Sequence, residues 1–261
     1  MNAAMFWSSK RNLGPPRSPR GYRAYAVGDV HGRLDLLNDL LAKIERDTAE
    51  RSPSKTLLVF LGDLIDRGPD SRGVIERLRS YRPARTKVIH IAGNHEEVLL
   101  RLLAGESEFL GSWLRFGGSE FLRSYGCDPQ RMAALGPSDA IALLRETVPE
   151  THVRFLSGFV DTLRFGDYLF VHAGIRPGID LAMQSQSDLR WIRSPFLEEE
   201  AGHGFVVVHG HTISNEVEWR PNRIGIDTGA YRTGVLTALG LQGDKCWTLQ
   251  TEHQRNETVA H

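Results

Sequence analysis

The chain has 261 residues, with 32 basic and 32 acidic side chains, ten histidines and two cysteines. Its length suits one domain with a large core, and its composition, 41% hydrophobic and 25% charged, is typical of a soluble globular protein. Zero formal net charge disfavours proteins that capture long nucleic acids by bulk attraction. Cys127 and Cys246 stand apart, which excludes a thiolate metal site and a disulfide framework and indicates a reducing, cytoplasmic setting.

The sequence contains no apolar segment that could form a membrane helix, since the longest apolar run extends only from Leu57 to Leu61. The first twenty residues are basic, contain several prolines and lack the apolar core of a signal peptide. We therefore predict a disordered basic arm over residues 1–20 and a single domain over residues 21–261. We expect no membrane partner, and no pattern in the sequence indicates an oligomeric state.

From residue 22 the pattern alternates between short apolar runs and amphipathic segments. It predicts, in chain order, a strand at 23–27, a helix at 34–51, a strand at 56–61, a helix at 71–81 and a strand at 88–91. This βαβαβ start predicts a parallel sheet in an α/β fold. The carboxyl ends of such strands share one edge, where ligands and chemistry collect.

The middle of the chain, about 97–158, reads as a helical insertion over or beside the site. Its helices are predicted at 98–103, 109–125, 138–147 and 150–156. Strands return later with no predicted helices between them, so the second half of the sheet is expected to be mixed or antiparallel. These late strands are predicted at 168–171, 205–208, 224–226, 234–239 and 245–249.

Polar side chains that can bind metal follow five of the predicted strands. A Gly-Asp turn or a single His is common loop chemistry, but five such segments in order at strand ends indicate one shared site. Glycine lets the backbone turn sharply and leaves space for a ligand close to the main chain. The segments are Gly28-Asp29-Val30-His31-Gly32, Gly62-Asp63-Leu64-Ile65-Asp66-Arg67-Gly68, Gly93-Asn94-His95-Glu96, Val171-His172-Ala173-Gly174 and Val208-His209-Gly210-His211-Thr212.

The ligand types suit Mn²⁺, Fe or Zn²⁺, because Asp, Asn and His without thiolates are borderline-to-hard donors. Two ions about 3.5–4 Å apart can hold a bridging hydroxide and the non-bridging oxygens of a phosphoryl group. We therefore predict phosphate ester hydrolysis by direct attack of that hydroxide, with no covalent enzyme intermediate. The six candidate ligands, more than one ion needs, are Asp29, His31, Asp63, Asn94, His172 and His211.

These motifs resemble those of the calcineurin-like metallophosphoesterases, most closely the bacterial and phage members of the phosphoprotein phosphatase family. The family pattern reads GDxHG, GDxxDRG, GNHE and two late histidines, and the resemblance extends from Tyr22 to about Leu241. It implies a mixed β-sandwich flanked by helices in α-β-β-α layers. It also implies a metal-dependent serine/threonine protein phosphatase that uses two divalent ions, most typically Mn²⁺, and acts on a phosphorylated protein or a small phosphoester.

The resemblance also assigns the metal ligands individually. It places Asp29 and His31 on the first metal and Asp63 between the two metals. The second metal would be held by three further side chains, which are Asn94, His172 and His211.

The resemblance assigns the remaining site residues to acid catalysis and phosphate binding. His95 would protonate the leaving alkoxide, and Asp66 would orient the imidazole of His95. A carboxylate partner raises the pKa of an imidazole, which keeps it protonated near neutral pH. Arg67 and Asn94 would contact the phosphate oxygens. A second arginine is expected between the late histidine motifs, with Arg193 preferred over two alternatives, Arg176 and Arg190.

Four other polar residues have less specific expectations. His90 is expected to be structural, and His209 to support the motif that contains His211. Asp227 is expected to fix a loop, while Tyr231 is a candidate for the lining of the site.

Three other functions are weighed against the protein phosphatase. A diadenosine tetraphosphate hydrolase is the main alternative, but that branch lacks the aspartate at the Asp66 position and has Asp where this chain has Glu96. A nucleotide leaving group also needs less help from an acid than an alkoxide does. A DNA phosphodiesterase would need a basic track, which the balanced charge disfavours, and a non-catalytic scaffold would have lost a ligand or the acid.

Overall fold

The computed structural model describes residues 14–252, and within that range ten strands form two five-stranded sheets. The first sheet has the order β10-β9-β1-β2-β3 and the second the order β4-β5-β6-β8-β7. The strands are β1 (Tyr22–Val27), β2 (Lys55–Phe60), β3 (Thr86–His90), β4 (Thr162–Phe165), β5 (Tyr168–Val171), β6 (Val206–His209), β7 (Glu218–Trp219), β8 (Arg223–Gly225), β9 (Thr237–Gln242) and β10 (Lys245–Gln250).

Helices connect the first strands and form most of the segment between β3 and β4. The first two cover the outer face of the first sheet, the next six follow the carboxyl end of β3, and the last two lie between later strands. They are α1 (Leu34–Glu50), α2 (Ser71–Ser80), α3 (Asn94–Ala104), α4 (Leu110–Trp113), α5 (Ser119–Ser124), α6 (Pro129–Ala134), α7 (Pro137–Thr147), α8 (Glu150–Leu156), α9 (Gln186–Trp191) and α10 (Ala230–Thr233).

The alternation of side chains along β1 shows how the layers are built. Tyr25 and Val27 pack with the helices on one face of the first sheet, whereas Ala24 and Ala26 face the second sheet. The outer face of the second sheet is covered in turn by α9, through contacts that include Leu189. The structure therefore confirms the α-β-β-α sandwich that the motif resemblance implies.

The first sheet has the predicted parallel start and a mixed character. β1 pairs parallel with β2, and β2 with β3, while β9 pairs antiparallel with β1 and β10 with β9. The parallel pairs bring the carboxyl ends of β1, β2 and β3 to one edge, as expected.

The late strands differ from the prediction in two ways. They do not all belong to one sheet, since β5, β6 and β8 pair parallel in the second sheet. The parallel pair β5–β6 is also connected through a helix, α9, which the sequence pattern did not indicate. Parallel neighbours need a crossover connection, and here a short helix with few apolar residues provides it.

The helical segment after β3 begins earlier and is more broken than predicted. α3 starts at Asn94, so the third motif forms the first turn of a helix. The helix expected at 109–125 is interrupted at Phe116 and Gly117, whose φ/ψ angles are not helical. Gly117 has φ 122°, a conformation open to glycine, and its carbonyl accepts a hydrogen bond from the backbone of Arg67.

Two residues in the described part of the predicted N-terminal arm, Arg17 and Ser18, contact the domain. The backbone of Arg17 exchanges hydrogen bonds with Asp167, and Ser18 does the same with Gly243. Arg17 and Ser18 therefore satisfy backbone groups of two hairpin turns. Residues 1–13 and 253–261 lie outside the described residues. Among the described helices, none combines the length and apolarity needed to cross a bilayer.

Candidate metal centre and active site

The motif side chains from both sheets meet at one edge of the sandwich. Of the six described non-glycine residues with positive φ, five lie in the predicted motifs, and strained backbone of this kind concentrates at functional sites. The five are His31, Asp63, Asp66, Arg67 and His211.

Asp63 lies at the centre of this group and faces histidines from both sheets. Its carboxylate oxygens lie 3.7 Å from Nε2 of His31, 3.9 Å from Nε2 of His95 and 3.5 Å from Nε2 of His172. Two groups with metal-binding spacing share it. One contains His31 and His95, and the other His172 and His211. The position of Asp63 is that expected of a bridging ligand.

In the histidine tautomers that the hydrogen bonds require, the ring nitrogen that faces this centre carries no proton. Nδ1 of His172 donates to the Leu61 carbonyl oxygen (2.7 Å), so Nε2 of the neutral ring carries a lone pair. That lone pair lies 3.0 Å from the side-chain amide of Asn94, so the two groups are close enough to bind one cation together. Backbone carbonyls that accept from the other ring nitrogen are typical partners of metal-binding histidines.

His31 has the same arrangement on the other side of Asp63. Its Nδ1 donates to the Ile65 carbonyl oxygen at 2.8 Å, which leaves Nε2 as an acceptor near Asp63. Burial lowers the pKa of His31 well below its ordinary value, so the ring is neutral and able to bind a cation. In the second group, Nε2 of His211 is buried and has no hydrogen-bond partner among the described residues.

Asp29 lies next to a second buried carboxylate, that of Asp227. Both oxygens of Asp29 accept from the backbone N–H of His211, at 3.1 Å each. Burial first, and then the negative charges of Asp227 and Asp63, raise the pKa of Asp29 well above its ordinary value. Burial likewise raises the pKa of Asp227 to about 6. Three carboxylates this close are stabilised by a nearby positive charge.

The donor set therefore fits two divalent cations. The pKa of Asp63 lies well below its ordinary value, so this buried carboxylate is ionised. Burial lowers the pKa of His211 to about 3. Unprotonated imidazoles and an ionised carboxylate are the forms that bind metal. Asp29 and Asn94 lie at the same edge, within hydrogen-bond distance of His211 and His172 respectively.

His95 and Asp66 form a buried hydrogen-bonded pair beside this centre. Nδ1 of His95 donates to Oδ2 of Asp66 at 2.7 Å, so Nε2 points towards Asp63. Burial lowers the pKa of His95, but the Asp63 charge and the Asp66 hydrogen bond outweigh it and raise the pKa. A raised imidazole pKa suits a group that donates a proton near neutral pH.

Trp113 is a member of the site that the sequence did not indicate. Its Nε1 donates to the same Oδ2 of Asp66 at 3.0 Å, and its side chain is buried. It comes from α4, in the predicted helical insertion over or beside the site. A single Trp in an amphipathic helix is usually core, so no local pattern distinguishes this one.

Glu96 holds the turns that carry the ligands. Its carboxylate accepts from the backbone N–H groups of Asp63, Leu64 and Gly93, at 2.8–2.9 Å. A Cβ atom at Gly93 would collide with the Asp63 carboxylate, so this position requires glycine. The Gly and Glu of the third motif therefore position Asp63.

Arg67 projects from the second motif over the metal-binding group that contains His31, Asp63 and His95. Its Nη1 donates to Nε2 of His31 at 2.9 Å, and its guanidinium lies 4.9 Å from the ring centre of Tyr231. Tyr231 in turn packs edge-to-face on His31, with ring centres 5.3 Å apart. Tyr231 is thus part of the site, and Arg67 has the position of a phosphate-binding group.

The three arginines considered for the second phosphate contact differ in their partners. The guanidinium of Arg176 pairs with Asp188, and that of Arg190 with Asp161 and Glu97. Arg193 is exposed and makes no side-chain hydrogen bond among residues 14–252. Its positive charge contributes to the lowered pKa of His211, after burial and His172, so it lies near the second metal group.

The expectations for His90, His209 and Asp227 agree with their surroundings. His90 stacks on Phe60 and Phe159, away from the metal groups. His209 is buried beneath its motif, and its Nδ1 donates to the Gly210 carbonyl. Asp227 accepts from the backbone N–H of Gly229, which fixes the loop, although its closeness to Asp29 was not foreseen.

The sequence is similar to curated proteins with two different activities. It is 28% identical over 231 residues to bis(5'-nucleosyl)-tetraphosphatase PrpE [asymmetrical] of Anoxybacillus flavithermus, covering 82% of this chain and 88% of that protein. It is 30% identical over 225 residues to serine/threonine-protein phosphatase 1 of Salmonella typhimurium, covering 84% of this chain and 91% of that protein.

Solved structures share the fold. A crystal structure assigned provisionally as a diadenosine tetraphosphatase superposes with a TM-score of 0.63 at 21% identity, covering 90% of this chain and 96% of that one. A cold-active protein tyrosine phosphatase of a psychrophilic Shewanella species gives a TM-score of 0.52 at 16% identity, covering 91% and 83%. The family model for calcineurin-like phosphoesterases matches residues 22–235. With this match over most of its length, the chain belongs to the calcineurin-like phosphoesterase family.

Proposed function

We propose that the protein is a dinuclear-metal phosphomonoesterase of the serine/threonine protein phosphatase type. The observation that carries the proposal is the hydrogen bond between His95 and Asp66, with the free Nε2 of His95 directed at the metal groups. An alkoxide is a poor leaving group, so its departure requires a proton. A buried imidazole with a raised pKa can supply that proton.

Six residues would hold two divalent ions, for which we propose Mn²⁺. The ions, when bound, supply Lewis-acid activation of water and neutralise charge on the phosphoryl group. We propose Asp63 as the shared ligand, with the other five divided between the two ions. These are Asp29 and His31 for the first, and Asn94, His172 and His211 for the second.

The other site residues bind the phosphate and move the proton. The guanidinium of Arg67 contacts phosphoryl oxygens from the side of His31, and Arg193 and Asn94 contact them from the side of His211. Nε2 of His95 gives its proton to the departing oxygen. Asp66 keeps the ring in the orientation that makes this possible, and Trp113 holds Asp66.

A groove beside Arg67 and Tyr231 would receive the rest of the substrate. Its volume is about 620 Å³, and it includes Arg33, Asp35 and Asp70. Arg33 pairs with Asp35 at 2.6 Å, and the other two charged lining residues, Arg67 and Asp70, have opposite charges, so the groove has balanced charge. A polyphosphate chain would favour an excess of positive charge, whereas balanced charge suits a peptide chain around a phosphoserine or phosphothreonine.

The second candidate is asymmetrical bis(5'-nucleosyl)-tetraphosphate hydrolysis. It is favoured by relatives with that name, which match 82% of this chain at 28% identity. For this candidate the leaving group is a nucleotide, which needs less protonation.

We further infer a cytoplasmic location and a reduced state from the isolated cysteines, both of which are free.

Parallel rate measurements test the two candidates. Metal-loaded protein is assayed on a phosphoserine peptide, on diadenosine tetraphosphate and on para-nitrophenyl phosphate, with a chelator control. We expect the peptide to give the highest kcat/KM. His95→Asn should lower the peptide rate by about 10²–10⁴-fold, the usual contribution of an acid, but lower the nitrophenyl rate much less. A higher kcat/KM on the dinucleotide would replace the proposed function with the second candidate.

A further inference from the structure

A second cavity lies between the two sheets at the end of the sandwich opposite the metal groups. It has a volume of about 620 Å³, within the range of small-molecule sites. It is lined by the first residues of β1, β2 and β3 and by β4, whereas the metal groups follow the last residues of the parallel strands. Leu57 precedes Asp63 by six residues, which in extended chain is about 20 Å.

The strand register places the lining residues on the inner face of the first sheet. Tyr22 is the partner of Lys55, and Leu57 is the partner of Lys87. Side chains alternate along a strand, so Lys55 and Leu57 share a face, and Ile89 shares it with Lys87. This face is covered by the second sheet further along the strands, but at their starts the two sheets leave a cleft.

The floor of the cleft is apolar and incompletely covered. Leu57, Ile89 and Leu163 are each only partly buried, and Leu57 and Leu163 pack against the inter-sheet core. Phe165, which also lines the cleft, is buried. Partly exposed apolar side chains in a concave site gain free energy when an apolar group displaces the water over them.

The rim of the cleft is basic. Lys55, Arg85 and Lys87 are exposed lining residues, and none forms an ion pair or a side-chain hydrogen bond within residues 14–252. No acidic side chain of that range lines the cleft. Among the described non-glycine residues with positive φ, Arg85, at 57°, is the one outside the motifs of the metal site. Three cations without acidic partners in the lining, one of them (Lys55) 5.5 Å from the ring centre of Tyr22, surround an apolar floor and are complementary to a molecule with an anionic head and an apolar body.

We propose that this cleft is a binding site for an amphipathic carboxylate, with the chain between the sheets and the head among the three cations. The site is separate from the metal groups and does not depend on the reaction they perform. A medium-length alkyl carboxylate suits the cavity volume and covers the partly exposed leucines and isoleucine. Its negative head meets the three positive charges of the rim.

Titration calorimetry on the full-length, metal-loaded protein tests the proposal with decanoate as the probe. We expect saturable one-to-one binding with a Kd below about 1 mM. Decanol, which lacks the charge, and acetate, which lacks the chain, should each bind at least about tenfold more weakly. Acetate also reports any carboxylate binding to the metal ions, and an unchanged rate on para-nitrophenyl phosphate with decanoate present shows that the active site stays open.

Two variants separate the head and chain contributions. Replacing Lys55, Arg85 and Lys87 together by Gln should weaken decanoate binding about tenfold or more, and Leu163→Trp should fill the cleft and weaken it similarly. The matched control replaces three exposed cations elsewhere, Arg46, Arg131 and Lys245, by Gln and should leave binding unchanged. The proposal is overturned if no saturable binding occurs up to about 1 mM. It is also overturned if both cleft variants bind decanoate like the wild type.

Discussion

The indole of Trp113 donates a hydrogen bond to Oδ2 of Asp66 at 3.0 Å, and thereby connects the helical segment after β3 to the proposed acid. The same oxygen accepts from His95, while Oδ1 of Asp66 is buried with no hydrogen-bond partner among the described residues. Burial raises the pKa of Asp66, and the hydrogen bonds of His95 and Trp113 oppose that rise. Trp113 therefore helps to keep Asp66 ionised and correctly oriented.

Loss of this hydrogen bond should affect catalysis more than folding. Trp113→Phe keeps the apolar packing but removes a donor to a carboxylate, an interaction of about 1.5–3 kcal/mol. We expect kcat on a phosphoserine peptide to fall about tenfold or more, with a smaller effect on para-nitrophenyl phosphate. Trp247→Phe is the matched control, since Trp247 donates to Asp47 at 3.1 Å away from the metal groups. Equal losses on both substrates would contradict a role through the acid.

Removal of metal should destabilise the protein. Asp29, Asp63 and Asp227 are buried together, and bound divalent ions offset their repulsion. With metal at about 100 times its Kd, the stabilisation is about 2.7 kcal/mol, so chelation should lower the Tm measured by calorimetry. His211→Ala should reduce the difference between metal-loaded and chelated samples, whereas His203→Ala, outside the two groups, should preserve it. An unchanged difference in His211→Ala would argue against His211 as a ligand.

Phosphate binding should require the guanidinium group of Arg67 and not only its positive charge. Arg67→Lys keeps the positive charge but loses the planar fork and the stacking on Tyr231. We expect kcat/KM to fall about 10–100-fold, equivalent to about 1.4–2.7 kcal/mol. Arg176→Lys, whose guanidinium pairs with Asp188, serves as the control and should retain wild-type kinetics. A near-normal kcat/KM for Arg67→Lys would assign phosphate binding to other groups.

Stability should decrease as the pH falls from 7 to about 4, in part because of His90. Burial lowers the pKa of His90 from 6.5 to about 4, so over this range the unfolded state binds a proton that the folded state does not. The free energy of unfolding therefore decreases as the pH falls, and this partly exposed residue contributes about 1–3 kcal/mol to the decrease. His90→Leu should reduce the pH slope measured by urea unfolding in chelator, where metal binding makes no contribution. Identical slopes in both proteins would refute the assignment.

The local patterns were sufficient for much of the fold and the site. Apolar spacing located α1, α2, α8 and the first three strands within two residues at most ends, because each pattern repeats over several residues. The turn after each strand carries its polar residues at fixed offsets. Since parallel strands bring their carboxyl ends together, the sequence alone could group Asp63 with Asn94 and with His31.

Contacts between distant segments were decided by the tertiary structure. Nothing near Trp113 in the chain indicates that its indole reaches Asp66, 47 positions earlier. The pairing of Asp29 with Asp227 and the contact of Arg67 with Tyr231 likewise depend on where loops from the two sheets meet. The cleft ringed by Lys55, Arg85 and Lys87 also exists only because the two sheets separate at the starts of their strands. Secondary structure arises from local periodicity, whereas such contacts depend on how the layers pack, which leaves no periodic trace in the sequence.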